Sequence, residues 1–328
     1  MSELYPLKFE TIFKEKIWGG IRLRDSLHKE VGAIGKCGES WEISGVQENI
    51  SVVSNGKLAG NDLEELIEVY MGDLVGDKVY EKFGIEFPLL VKFIDANEDL
   101  SIQVHPDDQT ARERHNAFGK TEMWVVVEAD EGAEIMSGFN TKVDKAKYLE
   151  HINNGTLHAI LNREKVSAGD VFFIPAGRIH AIGKGILLAE IQQTSDISYR
   201  IFDYNRKDNE GKERELHAEL AEDVIDYKNN NSSRVHYHLQ DNAENNLVDC
   251  KYFTTNLLHL TTPVERDIYN LDSFVIYLCL EGDLLLVYAD DEVIPVKKGE
   301  LILIPASLHS YGLIPRNQNA SLIEVYIK

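Results

Sequence analysis

Apolar residues along the chain gather in short β-type runs. Residues 50–53, 123–127, 171–174, 274–280, 284–288 and 301–304 are rich in Val, Ile, Phe or Tyr, and Gly, Pro, Asn or Asp usually stands close by. Short strands in close succession, without regular helices between them, predict a sandwich or barrel and not a doubly wound sheet. Three stretches change period. Leu63, Leu66, Ile67 and Tyr70 are spaced as one helix face, behind Asn61 and Glu64 in capping-box spacing. Val143, Ala146, Leu149 and Ile152 form a second helical stripe closed by Gly155, and residues 107–118, just after Pro106, read as a third helix. Residues 206–233 are polar and charged, loosest at Asn229 to Asn231, and are the expected linker.

The chain also repeats itself. Residues 166–180 and 296–309 share Gly-acid, three apolar residues, Ile-Pro-Ala and then His, with one residue fewer in the second copy. Upstream, Glu122-Met-Trp-Val-Val-Val lies beside Asp272-Ser-Phe-Val-Ile-Tyr without a gap, ahead of Gly132 and Gly282. Each copy reads as a strand entered by a tight Gly turn and left through Pro, which cannot donate to a sheet ladder. The His then falls at a barrel mouth. This spacing resembles the second motif of the cupin family, whose fold is a double-stranded β-helix with a metal between its sheets. The expected architecture is mainly β: two cupin-type double-stranded β-helix (jelly-roll) units with a few short helices, divided into residues 1–235 and 236–328.

Composition narrows the partners. Among 328 residues, 55 acidic side chains against 34 basic ones leave a formal charge of -21. That balance speaks against nucleic acid, whose phosphates are held by clustered Lys and Arg, and against an anionic membrane surface. The first twenty residues mix Glu and Lys among apolar positions, and the longest apolar run, residues 274–280, is too short to span a bilayer. Cys37, Cys250 and Cys279 lie far apart with no CxxC pair, as in reduced buried thiols. A cytoplasmic protein, monomeric or weakly dimeric, with a small-molecule partner is expected. If that partner is anionic, a local basic pocket must overcome the long-range field.

Candidate chemistry sits in the first unit. In Ser101-Ile-Gln103-Val-His105-Pro106, strand alternation puts Gln103 and His105 on one face. Two polar groups facing a barrel interior need partners, either hydrogen bonds within the core or a metal ion. Glu122 opens an apolar strand, where an unpaired carboxylate is costly to bury, and Lys120 shares its face. His180 ends the first repeat. Together Gln103, His105, Glu122 and His180 offer two imidazoles, a carboxylate and an amide oxygen. That set suits zinc, with manganese, iron or cobalt as alternatives. The second unit has no Gln-x-His strand, and Asp272 with His309 makes a poor site, so it reads as structural.

These motifs, with Ile-Pro-Ala-Gly-x-Ile-His-Ala and Ser-Asp-x-x-x-Arg, resemble the type I mannose-6-phosphate isomerases in their short bacterial form. Trp18-Gly-Gly20 and Glu39-Ser-Trp41-Glu42 add to the likeness, which is strongest from Trp18 to Tyr204. The resemblance implies a zinc enzyme interconverting mannose 6-phosphate and fructose 6-phosphate through a cis-enediol. It carries the ligand roles onto the four residues above, a catalytic arginine onto Arg200, a glutamate near the metal onto Glu190, and makes Trp18 a substrate-side residue. Longer members insert a helical domain between the Glu ligand and the second His; here only 58 positions separate Glu122 from His180, so no phosphate contacts transfer. Glu190 is the first choice of base, with Lys120 or a water on the metal as alternatives. Arg200 reads as a fixed cation near the developing charge or the phosphate, or else as the partner of Asp196 or Asp203. Lys92 either snorkels to solvent or reaches the phosphate. Tyr199 and Trp41 pack against the sugar or the core, and Arg112, Arg114 and His115 form a solvated helix face. Two rivals remain: a bicupin iron oxygenase, against which Gln103 counts as a fourth ligand, and a non-catalytic sugar-binding bicupin, which needs no base beside its metal.

Overall fold

In the computed structural model, which describes residues 4–207, 211–228, 232–289, 291–316 and 318–328, the β-type runs assemble into four antiparallel sheets. The largest orders its seven strands as Ile12–Gly20, Cys37–Ser44, Leu89–Ala96, Ile186–Gln193, Glu122–Ala129, Val171–Ile174 and Arg234–Val235. It faces a five-stranded sheet of Tyr199–Phe202, Ile102–Val104, His180–Ile182, Glu134–Phe139 and Leu161–Lys165. Residues 245–326 supply a second facing pair, of five and four strands.

Burial explains why the large sheet is so apolar. Leu89–Ala96 and Ile186–Gln193 are buried at every position. Their inward face lines the first barrel with Ile94, Trp124, Leu188 and their neighbours. Their outward face, with Val91, Phe93, Val125 and Ile191, packs against Phe274, Ile276, Leu303 and Ile323 of the second barrel in one continuous core. A strand covered on both sides has no solvent face to mark with polar residues, so each polar side chain within it must find a partner inside the protein.

The repeat holds, with a corrected register. Gly169 and Gly299 both adopt positive φ, 88° and 83°, before the strands Val171–Ile174 and Leu301–Ile304. Glu122 pairs with Ile174, whereas Val275 pairs with Ile304, so the structural counterpart of Glu122 is Val275 and not Asp272. Asp272 stands outside the strand and accepts hydrogen bonds from the backbone amides of Asp77 and Lys78, at 2.7 and 3.2 Å. By the same registers Tyr277, Glu324 and Asn256 match Trp124, Glu190 and Lys92. In the second barrel these groups close on themselves: Tyr277 and Asn256 each donate to Glu324 at 2.8 Å, and Arg266 pairs with it at 2.5 Å. That network fills the interior that the first barrel leaves for chemistry.

Other expectations shift locally. The helix Leu63–Tyr70 forms, but its capping box is Asp62 with Glu65, one residue on from Asn61 and Glu64. Residues 50–53 make only isolated bridges, Val52 to Asp62 and Val53 to Phe9. The expected linker is partly structured. It carries the helix Ala218–Val224, whose Ala221 is buried, while Asn229 to Asn231 lie outside the described residues.

Candidate active site

Two rows of side chains, one on each sheet of the first barrel, face a common cleft. Across the seven-stranded sheet, Trp41, Lys92, Glu190 and Trp124 stand directly opposite one another on successive strands. Across the five-stranded sheet, Arg200, Gln103 and His180 do the same. Strand alternation adds Glu39 two residues before Trp41 and Glu122 two residues before Trp124. His105 follows one residue past its strand. The cleft has a volume of about 200 Å³ and is lined by Glu39, Trp41, Lys92, Gln103, Glu190 and Arg200 from these rows, and by Lys16, Trp18, Ser101, Lys120, Asp196 and Arg214. Trp124, Glu122, His105 and His180 are fully buried beside it. A larger cavity, about 690 Å³, lies between residues 8–54 and 283–301; among the described residues, the one cluster with metal-ligating geometry is not in it.

That cluster is His105, Glu122 and His180, fully buried, with ligand atoms within 4.8 Å of one another. Glu122 Oε2 lies 3.4 Å from His105 Nε2, and its Oε1 lies 3.4 Å from His180 Nε2. His180 donates from Nδ1 to the Arg178 carbonyl at 2.8 Å, a tautomer that leaves Nε2 with a free lone pair. The Gln103 amide stands 3.3 Å from that nitrogen, and turning the amide over presents its oxygen. Burial, reinforced by Lys120, pushes the His105 imidazole down to about 3, so it is neutral at physiological pH. Both ring nitrogens of His105 and both oxygens of Glu122 are buried without a hydrogen-bond partner. Buried polar atoms in such number are explained by a cation that takes their lone pairs, and the four donors fit a divalent metal.

Around this cluster, carboxylates and cations alternate. Lys120 Nζ lies 3.1 Å from Glu122 Oε2 and 3.7 Å from Glu190 Oε1. Trp124 donates from Nε1 to Glu190 Oε2 at 2.8 Å. Lys92 neither snorkels nor stands free for phosphate, as its ammonium is buried 2.9 Å from Glu190 and 3.9 Å from Glu39. Burial acts against its charge, but Glu190 and Glu39 outweigh it and raise the Lys92 pKa. The Glu39 carboxyl, where burial is outweighed by Lys92 and Lys16, is lowered to about 2.

Arg200 reaches the cleft with neither Asp196 nor Asp203 as its partner. It donates from Nη1 to the Glu215 carbonyl at 2.8 Å, and its Nε is buried with no partner. Asp203 instead holds Arg206 and Arg214, the latter through two bonds of 2.5 and 2.7 Å. Tyr199 is a correction. Next to Arg200 on the strand, it points to the opposite face, into the core beneath the helices, and its hydroxyl meets His115 Nε2 at 2.8 Å. Trp18 and Trp41 do line the cleft. Arg114 and His115 are engaged, with Asp223 and Tyr199, and are not merely solvated.

The residue reading missed Lys16, Glu39 and Arg214 as cleft residues. Glu39 had a usable signal, since strand alternation puts it on the face of Trp41. Arg214 had none, because it arrives from the polar stretch after the sheet.

Residues 6–129 match the family model described as phosphomannose isomerase type I, catalytic domain, and residues 243–326 that of the mannose-6-phosphate isomerase cupin domain. The chain is 37% identical over 314 residues to the mannose-6-phosphate isomerase ManA of Bacillus subtilis, covering 94% of this chain and 95% of that protein. It is 36% identical over 307 residues to the mannose-6-phosphate isomerase of Streptococcus mutans, covering 93% and 94%. The solved mannose 6-phosphate isomerase from Bacillus subtilis superposes with a TM-score of 0.88 at 33% identity, over 98% of this chain and 99% of that one.

Proposed function

The chain belongs to the type I phosphomannose isomerase family, and we propose that it interconverts mannose 6-phosphate and fructose 6-phosphate through a cis-enediol. The observation that carries this reading is the fully buried His105–Glu122–His180 cluster, whose His105 nitrogens and Glu122 oxygens have no hydrogen-bond partner, set beside a cleft lined by Gln103, Lys120, Glu190 and Arg200. The metal is proposed to be zinc, held by Gln103, His105, Glu122 and His180. When bound, it supplies Lewis-acid polarisation of the sugar carbonyl and of the oxygen that becomes negative. An iron oxygenase is not favoured, because four protein donors leave little room for dioxygen beside a substrate.

This chain's own residues move the proton. Glu190 Oε1 takes the proton from C2 of the open-chain aldose and returns it at C1. Lys120, 3.7 Å from that oxygen, gives a proton to the aldehyde oxygen O1 as it gains charge and recovers one from the O2 hydroxyl as the ketone forms. A glutamate at this place is not by itself a base, since Glu324 occupies the matching position in the second barrel. What the first barrel adds is Lys120 and the ligand set. Lys92 and Trp124 keep the Glu190 carboxylate aimed into the cleft. Arg200 and Arg214 give the rim a positive charge for the phosphate, with Lys16 on the other side. Residues 1–235 act as the catalytic module and 236–328 as the degenerate one. One chain supplies the whole site, and among the described residues no helix is long and apolar enough to cross a membrane.

A coupled assay with mannose 6-phosphate and glucose 6-phosphate is the test. Turnover of the mannose ester is expected, lost in chelator and restored by zinc. Full activity of the metal-free protein would overturn the reading. His105→Ala should abolish metal retention, whereas Arg200→Ala should keep the metal and lose turnover.

A further inference from the structure

The strand that delivers Lys120 and Glu122 to the cleft begins in a loop, residues 119–121, pinned by all three of its amides. Gly119 donates to Asp108 Oδ1 at 3.2 Å, Lys120 to the Pro106 carbonyl at 3.0 Å, and Thr121 to Gln193 Oε1 at 2.9 Å. Gln193 in turn donates from Nε2 to the same Asp108 Oδ1, at 2.8 Å. The loop lies hard against the start of the helix Asp108–His115: a Cβ on Gly119 would stand 2.5 Å from the Asp108 amide. Two of the three fastenings therefore meet at one carboxylate.

The other oxygen of that carboxylate belongs to the second barrel. Tyr252 donates its hydroxyl to Asp108 Oδ2 at 2.9 Å, and the Lys251 ammonium lies 3.1 Å away, both from the turn between the strands Asn245–Asp249 and Thr254–Leu260. Burial opposes charge on Asp108, but the bonds from Gln193, Lys251 and Tyr252 outweigh it and lower its pKa, so it accepts from every side. On the outward face of the same strand, Thr255 of the second barrel donates to Met123 Sδ at 3.0 Å. The second barrel thus bears on both sides of Glu122, directly at Met123 and through Asp108 on residues 119–121.

We propose that Asp108 is a positioning residue through which the second barrel fixes residues 119–121, and with them the places of Lys120 Nζ and the Glu122 carboxylate. The proposal rests on the reading of those two groups as working parts of the site. It gives the degenerate barrel a part in turnover that its own lost ligands would not suggest.

Tyr252→Phe removes a single half-buried hydroxyl, and Asp108→Asn sets an amide against either Gln193 or Tyr252. In the zinc-loaded protein each is expected to lower kcat about tenfold to a hundredfold, with KM within about twofold. Each should also speed zinc release to a chromophoric chelator by about tenfold. Because both cut one relay, the double variant should be no worse than Asp108→Asn alone. Leu286→Ala, in the interior of the second barrel, is the control: its melting temperature falls while kcat and zinc release stay put. The proposal is overturned if the relay variants behave like that control, losing melting temperature alone. If Asp108→Asn does not fold, Tyr252→Phe decides. Zinc release involves no sugar, so if the protein fails to isomerise mannose 6-phosphate the functional reading falls while the release rates still judge the relay.

Discussion

At the scale of single residues, the site shows which signals survive in a one-dimensional string. Gln103, His105, Glu122 and His180 were legible because each sits where a polar side chain is out of place, on an inward strand face or at a strand's end. Glu39 was harder. Its charge depends on Lys16 and Lys92, which come from two other strands, and contacts of that range leave no local trace. Its consequence is testable through pH. The folded carboxyl at about 2 lies below its ordinary value of 4.5, so its contribution to stability is complete above pH 4.5 and fades as pH falls toward 2. That contribution is on the order of 3 kcal/mol. Glu39→Gln should therefore be less stable at neutral pH, with a flatter loss of stability below pH 4.5 in urea titrations run across the acid range. A variant whose acid limb matches that of the parent would rule out this account of Glu39.

At the scale of elements, turns were more faithful than registers. The Gly-acid turn ahead of each repeat strand was readable because positive φ there excludes side chains at little cost only for glycine. Gly299→Ala and Gly169→Ala should both destabilise, by about 1–2 kcal/mol from the strained backbone. Gly299→Ala should be the worse, since its Cβ would stand 3.0 Å from the Leu27 carbonyl, while the nearest atom to a Cβ at Gly169 is the Tyr237 hydroxyl at 3.7 Å. Equal midpoints in urea would show that the contact with Leu27 relaxes freely. Register was not readable in the same way. Trp124 and Phe274 look equivalent as aromatic residues in apolar strands, yet Trp124 points into its barrel and Phe274 out of its own. A slip of one residue reverses every side chain, and an apolar run buried on both faces does not say which way is in.

At the scale of the whole molecule, the two barrels share a core, which no segment of the chain announces. Phe87 and Phe274 meet at its centre with ring centroids 4.8 Å apart. Phe274→Ala should cost about 3–5 kcal/mol, and zinc release and loss of near-ultraviolet dichroism should follow one denaturation curve, as for a single cooperative unit. Separate curves would mean that the barrels unfold independently. The net charge of -21 also finds its place at this scale, as a property of the outer surface around a cleft whose rim carries Lys16, Arg200 and Arg214. One more property belongs to the molecule as a whole. The chain has three tryptophans: Trp18 and Trp41 line the cleft, and Trp124 bonds to Glu190 with its ring 5.4 Å from that of His180. Light emitted by this protein when its indoles are excited comes wholly from the walls of its own site. An unlabelled sample is therefore its own optical probe, and the filling of the cleft can be followed by intrinsic fluorescence with no dye attached.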